Sequence, residues 1–329
     1  MENIDNLNNL ASDIQNMNIS EEDKRKIQEN LLNLKNEKIN LMITGATGVG
    51  KSSTINALFG KEVAKVGVTV DPETMTISKY DFKNLVIWDT PGFGDGIEQD
   101  RKHAVNIARK LQEKDANGDL LIDLVLVILD GSSKDLGTSY ELIRKVIIPN
   151  LGQDKENRIL VAINQCDMAM KGRYWDEENN RPEPRLVEFL EAKVNAVRER
   201  IYEGTGVNTS PIYYSAGFKE EGMPQAQPYN LSKLLYYLVK YTPVRKRFSY
   251  VDHINEDPRV WQDDDKREDY KEETEKSFWE TAKEYALKGL EFVNKHKETI
   301  IELITLATTQ GKMGKFGKTV KKILKVFAK

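Results

Sequence analysis

Gly45-Ala-Thr-Gly-Val-Gly-Lys-Ser52 has the residue types and the spacing to hold phosphate. Glycines let the backbone of such a loop turn its N–H groups inward, and a helix opening directly after it adds positive potential. Gly45, Thr47, Gly48, Val49 and Gly50 would then line a cradle of donors, with Ser53 just inside the helix. Lys51 would reach the outer phosphates, and the Ser52 hydroxyl would ligate Mg²⁺. A loop of this kind leaves the base unspecified.

Two later segments address the base. Asn164-Gln165-Cys166-Asp167 closes an apolar run, Ile159 to Ile163, at the edge where open parallel sheets bind ligands. A carboxylate at Asp167 can accept two hydrogen bonds, from the ring N–H and the exocyclic amine of guanine. Adenine has no such pair and would leave a buried Asp167 unpaired, which discriminates strongly. Ser215-Ala216 follows the last apolar run and is placed to offer a backbone N–H to the guanine oxygen.

The elements that must position these residues are legible as well. Short apolar runs at 39–44, 85–88, 124–129, 159–163 and 212–214 alternate with helical patterns near 51–59, 98–114, 137–148, 185–203 and 231–240. Continuous apolar strands separated by helices predict an α/β fold with a mostly parallel sheet buried on both faces. Residues 74–82 alternate and precede Lys83-Asn84, a hairpin turn, so one antiparallel edge strand is expected. This core occupies 37–245. An N-terminal helical hairpin (1–36) precedes it, its second helix opened by a capping box at Ser20-Glu-Glu-Asp23. A helical C-terminal module (246–329) follows, beginning in an acid-rich stretch with Asp263-Asp-Asp265.

Bulk composition narrows the class. Of 329 residues, 39% are hydrophobic and 31% charged, with a net charge of −3, so any attraction to acidic partners must be local. The single cysteine, Cys166, excludes a disulfide framework and fits a reducing compartment; its place beside the base makes a small variable residue the simpler reading. Neither a secretory leader nor an apolar run long enough to span a bilayer is visible, and a cytoplasmic protein is expected.

In order and spacing, Gly45 to Ser52, Asp71-Pro-Glu-Thr-Met-Thr76, Asp89-Thr-Pro-Gly92, Asn164 to Asp167 and Ser215-Ala216 resemble the P-loop GTPases of the translation-factor class. The likeness is to Era/septin-like members, and within them to bacterial YeeP/YfjP-type GTPases, over roughly residues 37–245. It implies GTP and GDP as ligands, Mg²⁺ as cofactor and hydrolysis of GTP to GDP and phosphate. It also implies a first-switch threonine that binds Mg²⁺ and senses the γ-phosphate: Thr74 is the first choice, with Thr76 and Thr69 as rivals. Asp89 would contact Mg²⁺ through water, and the Gly92 N–H would touch the γ-phosphate, so that Lys51, Thr74 and Gly92 form the catalytic set.

Two departures from the family pattern matter. Gln165 stands where the pattern has lysine, which keeps part of the stem and loses the charge. Phe93 follows Gly92, where Ras-like proteins carry a water-orienting glutamine nearby, and an apolar side chain cannot polarise water. Potassium-dependent relatives carry asparagine at the position of Gly48, which disfavours that mechanism here. The resemblance therefore points to hydrolysis raised by homodimerisation, GTP-dependent oligomerisation or a partner. Asp95, Arg101, Lys102 and His103 lie just past this turn and could supply charge in trans, although a solvated surface position is the simpler reading for each. The alternatives are an Era-like GTPase associated with ribosomes or RNA, and a slowly hydrolysing, nucleotide-loaded scaffold.

The tail helix 312–329 carries seven lysines and no acid opposite an apolar face of Met313, Phe316, Val320, Ile323, Leu324 and Phe327. Such a helix either packs back on the protein, lies in an anionic membrane surface at the inner face of the membrane, or takes a nucleic-acid or protein partner. Nucleic acid is the lesser of these, because a KH domain around Gly311-Lys-Met-Gly314 lacks room for its strands.

Overall fold

The computed structural model describes residues 20–60, 68–70, 77–94, 96–217 and 226–286. The first N-terminal helix, the segment with Thr74 and Thr76, Asp95 and the tail helix 312–329 lie outside the described residues.

The chain divides into two compact units. The larger comprises Ile39–Pro243 and His253–Lys271. Its sheet has seven strands in the order β2-β3-β4-β1-β5-β6-β9: β1 (Ile39–Gly45), β2 (Val68–Val70), β3 (Ser78–Phe82), β4 (Leu85–Asp89), β5 (Leu124–Asp130), β6 (Ile159–Asn164) and β9 (Ile212–Tyr213), while β7 (Trp175–Asp176) and β8 (Arg181–Pro182) pair as a separate antiparallel ribbon. β4, β1, β5, β6 and β9 run parallel. β3 is antiparallel to β4, joined to it through a tight turn at Lys83, whose φ is +41°. The three residues of β2 add a further strand outside β3. β1 and β6 are buried along their whole length and β5 over all but its last residue, as helices on both faces require.

The helices of this unit follow the 3.6-residue pattern. α2 (Lys51–Phe59) turns Ile55, Leu58 and Phe59 to the sheet, and α3 (Ile97–Gln112) buries Ile107 and Leu111. α4 (Gly137–Leu142) passes through a π-helical stretch (Ile143–Ile147) into α5 (Ile148–Asn150). Pro149 has no N–H to continue the ordinary ladder, and Ile148 N–H bonds five residues back to Ile143. α6 (Pro184–Thr205) starts on proline and stops at left-handed Gly206. α7 (Leu231–Tyr241) buries Leu234, Leu235 and Leu238.

The acid-rich stretch 253–271 clusters with this unit, and its side chains show why. Asn255 Nδ2 donates to Ala57 O (2.9 Å), and Asp265 N–H donates to Asn230 Oδ1 (2.8 Å). Lys233 and Asp265 form an ion pair at 2.6 Å with side chains 9% and 6% exposed. The carboxylates that composition groups with the tail thus serve as partners for buried donors.

The smaller unit comprises 1–38, 244–252 and 272–329. Its described part includes α1 (Glu21–Asn36), a 3₁₀ turn (Val244–Tyr250) and most of α8 (Tyr270–Ala286). Ser20 caps α1 by accepting from Asp23 N–H at 3.0 Å, and its hydroxyl donates to the Asp23 carboxylate at 2.6 Å. Ser249 Oγ donates to Glu37 O (2.8 Å), and Phe248 packs on Phe278 with ring centroids 6.0 Å apart.

Candidate functional site

The loop Gly45–Ser52 leaves the carboxyl end of β1 and enters α2 at Gly50, whose φ of +87° favours glycine. A second reason for glycine is space, since a Cβ there would lie 2.3 Å from Asn164 Nδ2. Lys51 Nζ folds over the loop and donates to the carbonyls of Ala46 (3.1 Å) and Gly45 (3.3 Å). Ser52 is exposed at the start of α2, and Ser53 is half-buried behind it.

Asp89 ends β4 beside this loop. Its Oδ1 is buried with no hydrogen-bond partner. Burial pushes its carboxyl up to about 6, against the pull of Lys51. A buried carboxylate oxygen without a donor, within the field of Lys51, fits a divalent cation that keeps several waters. Among the described residues no cluster of three or more His, Cys, Asp or Glu could hold a metal. Phosphate oxygens and hydroxyls would therefore have to complete such a shell. Asp89 also carries a stability prediction. Between about pH 4 and about pH 6 the folded protein keeps a proton that the unfolded chain has released, so stability falls as pH rises through that window. Asp89→Asn, neutral throughout, is expected to raise stability at pH 7 without Mg²⁺ by up to roughly 3 kcal/mol, read by denaturant melts.

The turn after β4 lies against the phosphate loop. Thr47 N–H donates to Phe93 O (2.9 Å), and Phe93 N–H donates to Gly45 O (3.4 Å). A Cβ at Gly92 would sit 2.2 Å from Thr47 Oγ1, so only glycine permits this approach. Phe93 is buried, 6% exposed, and its ring faces the core rather than the phosphate loop's open side.

At the other end, Asn164 joins the two loops that sequence reading treats separately. Its Nδ2 donates to Val49 O (2.8 Å) in the phosphate loop. Its Oδ1 accepts from Ala216 N–H (2.9 Å). Gln165 Nε2 donates to Gly48 O (2.9 Å), so the glutamine still reaches the phosphate loop without a charge. Asp167 Oδ1 is buried without a partner, which fits a ligand bearing N–H donors. Ser215 N–H donates to Tyr229 O (3.0 Å) and Ala216 N–H to Asn164. Both amides expected to face a base oxygen are thus engaged within the protein, and a base would have to displace the Asn164 contact to use Ala216.

Phosphate loop, Asp89, Gly92, Asn164, Gln165, Asp167 and Ser215-Ala216 gather at the carboxyl edge of the sheet, around β1, β4, β6 and β9. Thr69 lies in β2, paired with Lys79. Arg101 is exposed, and Lys102 pairs with Glu98 (3.1 Å) on an exposed face of α3. Two supports escaped sequence reading. Tyr214 OH and Thr54 Oγ1 share a buried hydrogen bond of 2.7 Å, tying the last strand to α2. Lys193 Nζ donates to Gly131 O (2.6 Å) and Ser133 O (2.7 Å), while Gly131 N–H donates to Asn164 O (2.7 Å). Both pairs are far apart in the chain, and no local pattern announces them. Losing the Gln165 contact should be mild. Gln165→Ala is expected to weaken GTP binding about five-fold, the worth of one neutral hydrogen bond, measured by titration with a fluorescent GTP analogue.

Residues 40–165 match the family described as 50S ribosome-binding GTPase. The chain is 35% identical over 165 residues to GTP-binding protein A of Dictyostelium discoideum, covering 48% of this chain and 35% of that protein. It is 30% identical over 131 residues to the uncharacterized protein YfjP of Escherichia coli (strain K12), covering 39% and 41%. GTPase Der of Bacillus thuringiensis (strain Al Hakam) is 30% identical over 162 residues, covering 46% and 34%. The matched segments thus span less than half the length of these relatives. Among solved structures, the LeoA bacterial dynamin GTPase from ETEC aligns with a TM-score of 0.41 at 15% identity, covering 94% of this chain and 48% of that one.

Proposed function

From the P-loop GTPase domain that this chain carries, we propose that the protein is a Mg²⁺-dependent enzyme hydrolysing GTP to GDP and phosphate. One observation supports this most. Two buried carboxylate oxygens without partners, on Asp89 and Asp167, flank a phosphate loop that Asn164 and Gln165 tie to the base side. One end suits a cation and the other suits guanine.

Lys51 would exchange its bonds to Gly45 and Ala46 for the β- and γ-phosphate oxygens. Mg²⁺, held by the Ser52 hydroxyl, Thr74 and, through water, Asp89, would neutralise charge on the phosphates. Gly92 would present its N–H to the γ-phosphate, and Asp167 would pair with the guanine edge. Water attacks the γ-phosphorus, the bond to the β–γ bridging oxygen breaks with its electron pair leaving on GDP, and the proton lost by the water passes to the phosphate or to solvent. With Phe93 in the core, the residue after Gly92 offers no polar side chain to orient that water, which supports turnover raised by a second copy of the chain or another partner. The lysine-rich tail supports a role at an anionic membrane surface. Among the described residues no helix is long and apolar enough to cross a membrane.

Buried Phe93 also favours a second reading, a loaded scaffold that scarcely turns over. Turnover measured across a protein concentration series separates the two. A rate per molecule that climbs with concentration supports activation by self-association, whereas no phosphate release at any concentration supports the scaffold.

A further inference from the structure

The turn after β4 reads Pro91-Gly92-Phe93-Gly94, with further glycine at 96. Gly94 and Gly96 have φ of +107° and +126°, a region in which glycine moves freely. A sensor of a single phosphate cannot be built on such a chain unless side chains from rigid elements fix it, because every loose torsion costs entropy when the ligand orders it.

α3 supplies those side chains. Asp100 Oδ1 accepts from Gly94 N–H at 2.9 Å. One turn further along the same face, His103 Nδ1 lies 3.3 Å from Gly92 O. A carbonyl oxygen only accepts, so Nδ1 must carry the hydrogen. The imidazole also meets the Phe93 ring edge-on, with centroids 6.1 Å apart and planes at 85°. On its opposite side the same turn is bonded to the phosphate loop through Thr47 and Gly45. The peptide joining Gly92 to Phe93 is therefore gripped from both sides, by its carbonyl to His103 and by its N–H to Gly45.

We propose that His103 is a positioning residue for the γ-phosphate: its imidazole holds the Gly92–Phe93 peptide from α3, so that the preceding Gly92 N–H is aimed before the nucleotide arrives. This rests on the GTPase reading above. It also gives His103 work within its own chain instead of in trans, because its Nδ1 is committed to Gly92. Pro91 fixes the torsion on one side and His103 fixes the peptide on the other, leaving the Gly92 N–H little freedom. GDP makes no use of that N–H, so His103 should separate the two nucleotides.

The test compares Kd for GDP and for GMPPNP, with Mg²⁺, in the full chain and in two variants. His103→Phe keeps a ring against Phe93 and removes the donor, while His103→Gln restores an N–H donor without the ring. For His103→Phe, GDP affinity is expected to stay near the starting value while GMPPNP affinity falls about five-fold. His103→Gln should recover most of the GMPPNP loss. kcat for GTP should fall with His103→Phe by more than KM rises. An unchanged GMPPNP-to-GDP ratio in His103→Phe overturns the proposal, as does an equal loss for both nucleotides. The ratio decides even if GTP turnover is undetectable. A starting protein that binds neither nucleotide would instead remove the GTPase reading itself.

Discussion

Lys51→Ala is expected to lower GTP affinity by roughly 100-fold or more and to leave no measurable turnover. The ammonium would give about two charge-assisted bonds to phosphate oxygens, worth roughly 1.5–3 kcal/mol each. The fold should survive, because Lys51 is half-buried and donates to backbone carbonyls at the loop's rim. Removing Lys51 also takes away the charge that holds Asp89 down, so the Asp89 carboxyl should rise above about 6 in the variant. Equilibrium binding of a fluorescent GTP analogue, with circular dichroism as a check on folding, would show both results. A folded Lys51→Ala that binds GTP as the starting protein does would contradict the assignment of this loop.

The second large effect concerns the base. Asp167→Asn exchanges one acceptor oxygen for an amide donor, so the side chain meets the guanine N–H and amine with a repulsive contact. A buried polar site that loses its partners in this way rejects its old ligand by roughly 10⁴-fold. Xanthine carries a carbonyl where guanine carries its amine, and that carbonyl can accept from the new amide. GTP affinity is therefore expected to collapse while XTP affinity rises, with competition binding of GTP, XTP and ATP as the measurement. Unchanged preference for GTP would place the base elsewhere. Equal loss of all three nucleotides would show only that the variant is damaged, which thermal melting resolves.

The phosphate loop and the carboxylate proposed to face the base are legible in the sequence because their patterns are local. Gly45 to Ser52 carries its turn, its lysine and its helix start within a few residues, and Asp167 follows directly on an apolar strand. The five parallel strands were legible for a related reason, since strands buried on both faces read as unbroken apolar runs. Contacts between distant segments were not legible. Gln165 is separated by 117 residues from Gly48, whose carbonyl it bonds. Asn164 lies 115 residues from Val49 and 52 from Ala216. In the sequence His103 reads as one of several solvated residues past the turn, and only the fold of the turn onto α3 brings it to Gly92. The acidic stretch was read by composition with the tail, although Asp265 completes a buried pair with Lys233. Charge runs show how much charge is present and never where its partner lies.

Phe93 gives the account its least ordinary feature. Its buried ring leaves the turn without a polar side chain next to Gly92 and gives the turn an apolar anchor against α3 instead. Phe93 itself could not orient a catalytic water, which is why assistance from a second chain belongs to the proposed function.

Phosphate release from GTP with Mg²⁺, measured per molecule with Lys51→Ala alongside, decides whether this loop carries hydrolysis. Hydrolysis at this loop should give GDP and phosphate in equal amounts from the unaltered chain, none from Lys51→Ala, and none once Mg²⁺ is chelated. Phosphate release at the same rate from both proteins would contradict it, as would a folded chain that binds no guanine nucleotide.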